Sequence, residues 1–135
     1  MRNLSGKLCF LVAAATLVFA TACFDPFFYG TRAGGASVPD VVTYEGDVYP
    51  LLMSYCATCH SSGGAADTSA FVLSSDPDGD FANVTSFVAA GDPANTPLLQ
   101  KASSASGHGG SAVLLESSVE FRTIASWVEQ GAQRQ

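Results

Sequence analysis

Cys56-Ala57-Thr58-Cys59-His60 is the stretch that decides how this chain is read. A pair of thiols separated by two residues and followed at once by an imidazole is the covalent attachment pattern of c-type haem. Residues three and four apart share one face of a helical turn, so Cys56 and Cys59 reach the haem vinyl groups while His60 presents its imidazole to the iron. The same residues leave other chemistry open. A thioredoxin-like dithiol calls for a strand before the motif and a βαβ context after it, and neither pattern is present. A zinc site calls for four ligands, and beyond the motif only His108 or a carboxylate is available.

The N-terminus bears on compartment. Arg2 and Lys7 precede an apolar run from Leu8 to Ala20 and then small residues, which is a secretory signal, too short and wrongly flanked for a membrane span. The run closes as Val18-Phe19-Ala20-Thr21-Ala22-Cys23, which resembles a bacterial lipoprotein signal. Residues 1–22 are then the signal peptide and Cys23 is the lipidation site, with an ordinary cleaved signal as the alternative. An anchor of more than one acyl chain makes membrane attachment stable. The expected location is the periplasmic side of the cell envelope, and Phe24 after Cys23 points to the outer membrane by resemblance to enterobacterial sorting rules. Every cysteine then has a use: Cys9 leaves with the signal, Cys23 takes lipid, and Cys56 and Cys59 take haem, so no disulfide is expected in an oxidising compartment.

About 110 residues remain after the signal, enough for one small domain and a tether. Residues 23–42 read as a lipidated linker, Gly-rich and aperiodic, whose Phe24, Phe27, Phe28 and Tyr29 sit beside the anchor and suit a membrane interface or a loosely packed leader. Residues 43–135 form the domain. The chain has 12 acidic and 6 basic side chains, and Arg2 and Lys7 are lost with the signal, so nucleic acid is excluded as a natural partner. An acidic surface favours encounter with a basic redox partner or simply keeps the protein soluble.

The periodicity within the domain is helical. Val41 to Tyr44 looks extended, and Asp47 is placed to cap a helix from Val48 through the haem motif, with Pro50 in its first turn and Val48, Leu51, Leu52 and Tyr55 as its apolar face. A loop over Ser61-Ser62-Gly63-Gly64 leads to a short extended piece, Phe71-Val72-Leu73. Asp76-Pro77-Asp78-Gly79-Asp80 has alternating carboxylates, but Gly79 and Phe87 stand at the wrong places for a calcium loop. It reads instead as a turn into a helix capped by Asp80 and ending near Ala90, with Gly91 as terminator. Thr96-Pro97 starts a short helix through Leu98, Leu99 and Ala102. Ser117-Ser118-Val119-Glu120 matches a capping box, Phe121, Ile124, Ala125 and Val128 make an apolar stripe, and Gly131 follows the end. The element order predicts a small all-α fold whose N- and C-terminal helices pack together around one covalently attached haem.

From about Tyr44 to Ala132 the chain resembles the class I type small cytochrome c domains, in particular the branch found in planctomycetes and myxobacteria. The residues that carry the resemblance are Asp47 to Leu52, the haem motif, Gly91-Asp92-Pro93 followed by Pro97-Leu98-Leu99, Gly107-His108-Gly109-Gly110, and Ser126 to Ala132. The resemblance implies an exported mono-haem electron carrier, or a haem module serving a membrane redox chain, with redox proteins as partners and no small-molecule substrate. One departure stands out. Most members take a downstream methionine as second axial ligand, and this chain has none there. Met53 lies one turn before Cys56 on the side of His60 and reads as core filler. His108 lies where the family's distal ligand comes, in a glycine-flexed loop, and is the candidate ligand; a five-coordinate or water-ligated iron is the alternative. Electron transfer leads the functional readings, a haem-based sensor or binding module with an open iron position follows, and an enzyme such as a peroxidase lacks distal acid–base groups.

Overall fold

The computed structural model describes residues 37–103 and 108–134, all within one compact unit. The expected signal, Cys9, the Cys23 lipidation site and most of the tether lie outside the described residues, as does Gly107. The described residues are helical, with no strand and a single isolated parallel bridge between Ser61 and Leu73. The all-α expectation holds. None of the described helices is long and apolar enough to cross a membrane.

The first helical element starts earlier than expected and is built differently. A π-helical turn, Tyr44–Val48, runs directly into helix α1, Tyr49–Tyr55. Its cap is Thr43, whose hydroxyl accepts from Gly46 N at 3.2 Å. Asp47 answers from inside the turn: its carboxylate accepts from Thr43 N at 2.8 Å and Thr43 Oγ1 at 2.9 Å. This is the reciprocal logic of a capping box, so Asp47 supports the cap rather than being it. Tyr44 is consequently helical and fully buried, not extended. The helix also stops at Tyr55, before the cysteines.

Helix α2, Pro77–Thr85, is capped by Asp76, whose side chain accepts from Asp78 N, with Pro77 at the first position, where a missing N–H costs nothing. Asp80 is therefore not the cap. It lies inside the first turns and is buried, its carboxylate accepting from Tyr49 Oη at 2.9 Å, Ser74 Oγ at 2.7 Å and Ser74 N at 2.8 Å. A carboxylate can sit this deep because donors surround it and the helix N-terminus lies beside it. Burial, then the bond to Asp80, pushes the Tyr49 phenol up to about 12. The helix ends at Thr85, earlier than Ala90. Gly91, at φ +80°, instead turns the following loop and donates its N–H to Val128 O at 2.7 Å, tying that loop to the last helix.

Removing the carboxylate in Asp80→Ala leaves the buried Tyr49 phenol without its acceptor and takes from the Ser74 hydroxyl and N–H, on an exposed residue, their charged partner. The expected loss is about 3 kcal/mol, since bonds to a charged acceptor are worth about 1.5–3 kcal/mol each and do not add. In a domain this size that lowers the melting temperature by roughly 15 °C. Thermal denaturation followed by circular dichroism checks it, with Tyr49→Phe expected to cost less because it removes one donor and leaves the carboxylate its other two.

Helix α3, Pro97–Ser103, begins at the expected proline, after a short 3-10 turn, Pro93–Asn95. Thr96 is fully buried, and its hydroxyl donates to Asp92 O at 3.0 Å and accepts from Ala89 N at 3.1 Å, pinning the incoming loop. Helix α4, Val119–Glu129, is capped by Ser118, which accepts from Phe121 N at 3.2 Å. The cap is one residue later than the expected box, which leaves Glu120 in the first turn without the box's return bond.

The first and last elements do pack together. Tyr44 meets Trp127 at 5.7 Å, Tyr49 at 5.6 Å and Phe81 edge-on at 4.9 Å between ring centroids. Gln130 at the end of α4 accepts from Val42 N at 3.0 Å and donates to Asp40 O at 3.2 Å. Arg134 then bridges Glu45 and Asp78 over the face of Phe81. The core runs through Leu52, Leu73, Val84, Leu99, Ile124 and Val128, and Met53 packs against its edge, as expected of filler.

Candidate functional site

The haem-type motif forms a hydrogen-bonded turn continuing from the end of α1. Cys56 N and Ala57 N both donate to Leu52 O, at 2.8 and 3.1 Å, and His60 N donates to Cys56 O at 2.9 Å. The helix-like spacing expected of the motif is kept by these bonds although the regular helix has ended. Ala57 points into the core, Cys56 is half-buried and Cys59 is exposed, so the chain rolls both thiols to one side of α1. Both thiols are free. Burial, then the neighbouring Cys59, pushes the Cys56 thiol up to about 11. A catalytic dithiol needs a thiolate near neutral pH, so this environment does not suit that chemistry.

The turn is held from below by backbone packed on backbone. Ala66 N donates to Cys59 O at 2.8 Å, and a Cβ placed on Gly64 would come within 2.4 Å of that same oxygen. Only glycine permits this approach, a requirement not visible in the Gly63-Gly64 pair read simply as loop. Gly64→Ala must displace the Cys59 carbonyl and is expected to cost about 2 kcal/mol, the range for overpacking. Its thiols are then misplaced as well. Purified Gly64→Ala should melt lower than wild type and, if the motif carries haem, hold less of it covalently, while Gly63→Ala, with open space around it but a left-handed φ of +80°, should cost about 1 kcal/mol and leave the thiols in place.

His60 is fixed by what its Nδ1 touches. Phe71 O lies 2.9 Å away and Ser69 Oγ 3.2 Å away, while Ser69 Oγ itself donates to Phe71 O at 2.8 Å. A carbonyl only accepts, so Nδ1 carries the proton and Nε2 keeps its lone pair. His108 repeats the arrangement: its Nδ1 lies 2.8 Å from Ser111 O, and Ser111 N returns a bond to His108 O at 3.1 Å. Val113 N and Leu114 N donate to Ala102 O at 2.9 and 3.0 Å, tying that loop to α3.

The ring centroids of His60 and His108 lie 6.1 Å apart, with planes within 3° of parallel. An atom bonded in line to two imidazole nitrogens requires ring centroids roughly 6.4 Å apart, from two bonds of about 2.0 Å and the radius of each ring. The observed centroid spacing is close to that value. Zinc is another matter, because no group of three or more His, Cys, Asp or Glu among the described residues is arranged to hold a metal ion.

Beside the histidines lies a cavity of about 590 Å³ with Cys56, Cys59, His60 and His108 all on its walls. Its volume falls within the about 300–1,000 Å³ usual for sites that bury small molecules and cofactors. The rest of the lining is largely apolar, with Phe71 and Phe87 edge-on at 5.4 Å, Leu98 and Ala102 from α3, Val113 from the distal loop, and Ala65, Ala66 and Ala70. Phe71 also meets the His60 ring edge-on at 5.2 Å. Compared with protein-family models, curated proteins and solved structures, the chain finds no match.

All candidate ligands within the described residues are thus brought together. Ser69, Phe71 and Ser111 were not read from the sequence as site residues, since two of them act through a main-chain carbonyl, which any residue type supplies. Phe71 was legible as an apolar position but not as the partner of His60.

Proposed function

We propose that this chain is an exported mono-haem c-type cytochrome that transfers electrons in a membrane-associated redox chain. The observation that carries the reading is the parallel His60 and His108 pair, both with Nδ1 bound to carbonyls, on the walls of an apolar cavity that also holds Cys56 and Cys59. The residues fit the group. Cys56 and Cys59 would hold the porphyrin through thioether bonds, and His60 and His108 would ligate its iron. Bound haem supplies a centre that gains and loses one electron.

The chain's own residues do the tuning. The Phe71 and Ser111 carbonyls accept from the two Nδ1–H groups, orient the rings and make each Nε2 a better donor, which favours the oxidised state. Phe71, Phe87, Leu98 and Val113 keep water from the centre and lower its surrounding dielectric, which sets the potential along with ligand identity. His60 and His108, if both ligate the iron, would leave it no open position for a substrate, which supports a carrier over an enzyme. Visible absorption of the purified protein, oxidised and reduced, tests the proposal: a six-coordinate low-spin spectrum in both states is expected, and a ferrous form that takes carbon monoxide rapidly overturns it in favour of a sensor with an open position.

The anchoring part of the reading rests on Val18 to Cys23 alone. Lipid on Cys23 would hold the domain at the periplasmic side of an envelope membrane, where its acidic surface would meet basic redox partners. Fractionation should find wild type in the membrane pellet and Cys23→Ser released to the soluble fraction. A mutant that stays in the pellet as firmly as wild type leaves a cleaved, unlipidated protein as the better account.

A further inference from the structure

The carbonyl that fixes His60 is itself held by a side chain that does not line the cavity. Asn83, half-buried on α2, spans the segment before Leu73 with both ends of its amide: Nδ2 donates to Ala70 O at 2.9 Å and Oδ1 accepts from Val72 N at 3.3 Å. A donor for the carbonyl before Phe71 and an acceptor for the N–H after it are what a neighbouring strand would offer, so this side chain stands in for one. On the motif side, Leu73 N donates to His60 O at 2.7 Å. Val72 N–H and Phe71 C=O belong to one planar peptide group. Asn83 thus bonds one end of the group whose other end lies 2.9 Å from His60 Nδ1 and also accepts from Ser69 Oγ at 2.8 Å.

We propose that Asn83 is a positioning residue for His60, fixing the peptide between Phe71 and Val72 and polarising its carbonyl toward the Nδ1–H. The inference rests on the haem reading of the site, in which His60 ligates the iron. Hydrogen bonds in a chain strengthen one another, so an acceptor on Val72 N–H makes Phe71 O a better acceptor for its two donors. A firmer bond at Nδ1 makes Nε2 the stronger donor and favours ferric iron. Only an amide serves both partners: a carboxylate would set oxygen against Ala70 O, and an apolar side chain would bond neither group. His108 is the internal control, because its Nδ1 bonds Ser111 O at 2.8 Å within its own loop.

The full chain with haem attached is made as wild type and as Asn83→Leu, which is similar in shape and lacks both polar atoms, with its histidines labelled with ¹⁵N. In the reduced, diamagnetic state both Nδ1–H protons are followed by NMR. In Asn83→Leu the His60 proton should move upfield and exchange with solvent about tenfold faster, as for the loss of one hydrogen bond's worth of support, while the His108 proton stays as in wild type. The midpoint potential should rise. A general loosening of the fold would act on both histidines alike, so an equal change at His60 and His108, or no change at either, overturns the proposal while leaving the haem reading intact. Wild type decides the matter even should Asn83→Leu not fold: slow exchange of Val72 N–H supports the clamp, and exchange at the rate of an open-chain amide overturns it. Wild type without covalent haem overturns the haem reading itself and takes this inference with it.

Discussion

His108→Ala should turn the iron high-spin and let the ferrous protein bind carbon monoxide, while His108→Met should keep it six-coordinate and raise the midpoint potential. The first result follows from the single imidazole available opposite His60: its Nε2 is left with a lone pair by the bond from Nδ1 to Ser111 O at 2.8 Å, and no methionine in the cavity can replace it. The second follows from donor strength. An imidazole stabilises ferric iron more than a thioether does, so the exchange should move the potential up by on the order of 0.1 V, a fraction of the about 0.8 V that axial ligands span. Optical spectra with and without carbon monoxide, and a redox titration, make the measurement. A spectrum unchanged in His108→Ala removes His108 from the iron. The near-parallel rings, 3° apart, add an independent check on the wild type. Coplanar axial imidazoles split the iron dπ orbitals, so the ferric protein should give a rhombic low-spin electron paramagnetic resonance spectrum.

The double substitution Cys56→Ser/Cys59→Ser should abolish covalent haem entirely, leaving all pigment extractable by acidified organic solvent. Either single substitution should leave one thioether and a red-shifted reduced band, because an unreacted vinyl group extends the conjugation. Stability should fall with the pigment. A cavity of about 590 Å³ is far larger than a domain of this size can leave unfilled. At about 24 cal/mol per Å³ a closed void of that volume would cost more than 10 kcal/mol, comparable with the whole stability of a small domain. This one opens to water, so only part of that cost is realised, and the haem-free double variant should be poorly folded at 25 °C. A cooperative melt with full helical signal in the haem-free variant contradicts this, and covalent pigment in normal amount removes the attachment assignment altogether.

The legible parts of this protein are those encoded over one or two helical turns. The spacing of Cys56, Cys59 and His60 follows from the pitch of a turn, and it survives even where the regular helix has stopped, because His60 N still bonds Cys56 O. The stripe Phe121, Ile124 and Val128 announced α4, and Pro97 announced α3, since periodicity and a missing N–H are properties of the chain alone. Capping was less legible. Thr43 and Asp47, Asp76 and Asp80, and Ser117 and Ser118 each offer two acceptors a few residues apart, and the choice between them depends on which side chain the rest of the fold buries. Asp80 was drawn inward by Tyr49 and Ser74, so Asp76 was left to cap.

The tertiary structure alone decided what faces the motif. Elimination pointed to His108, but nothing local could say that its ring would lie parallel to His60 at 6.1 Å, because that depends on Ala102 receiving Val113 and Leu114 and so drawing the distal loop onto α3. The same holds for Gly64 beneath Cys59 and for the Phe71 carbonyl at His60, contacts in which the side-chain alphabet has no part: one needs the lack of a Cβ against a backbone oxygen, the other a backbone oxygen itself. Sequence by itself determined which chemistry was carried, since thiols and imidazoles are written in side chains. Packing decided how that chemistry was aimed, since main-chain positions are set only when the helices meet.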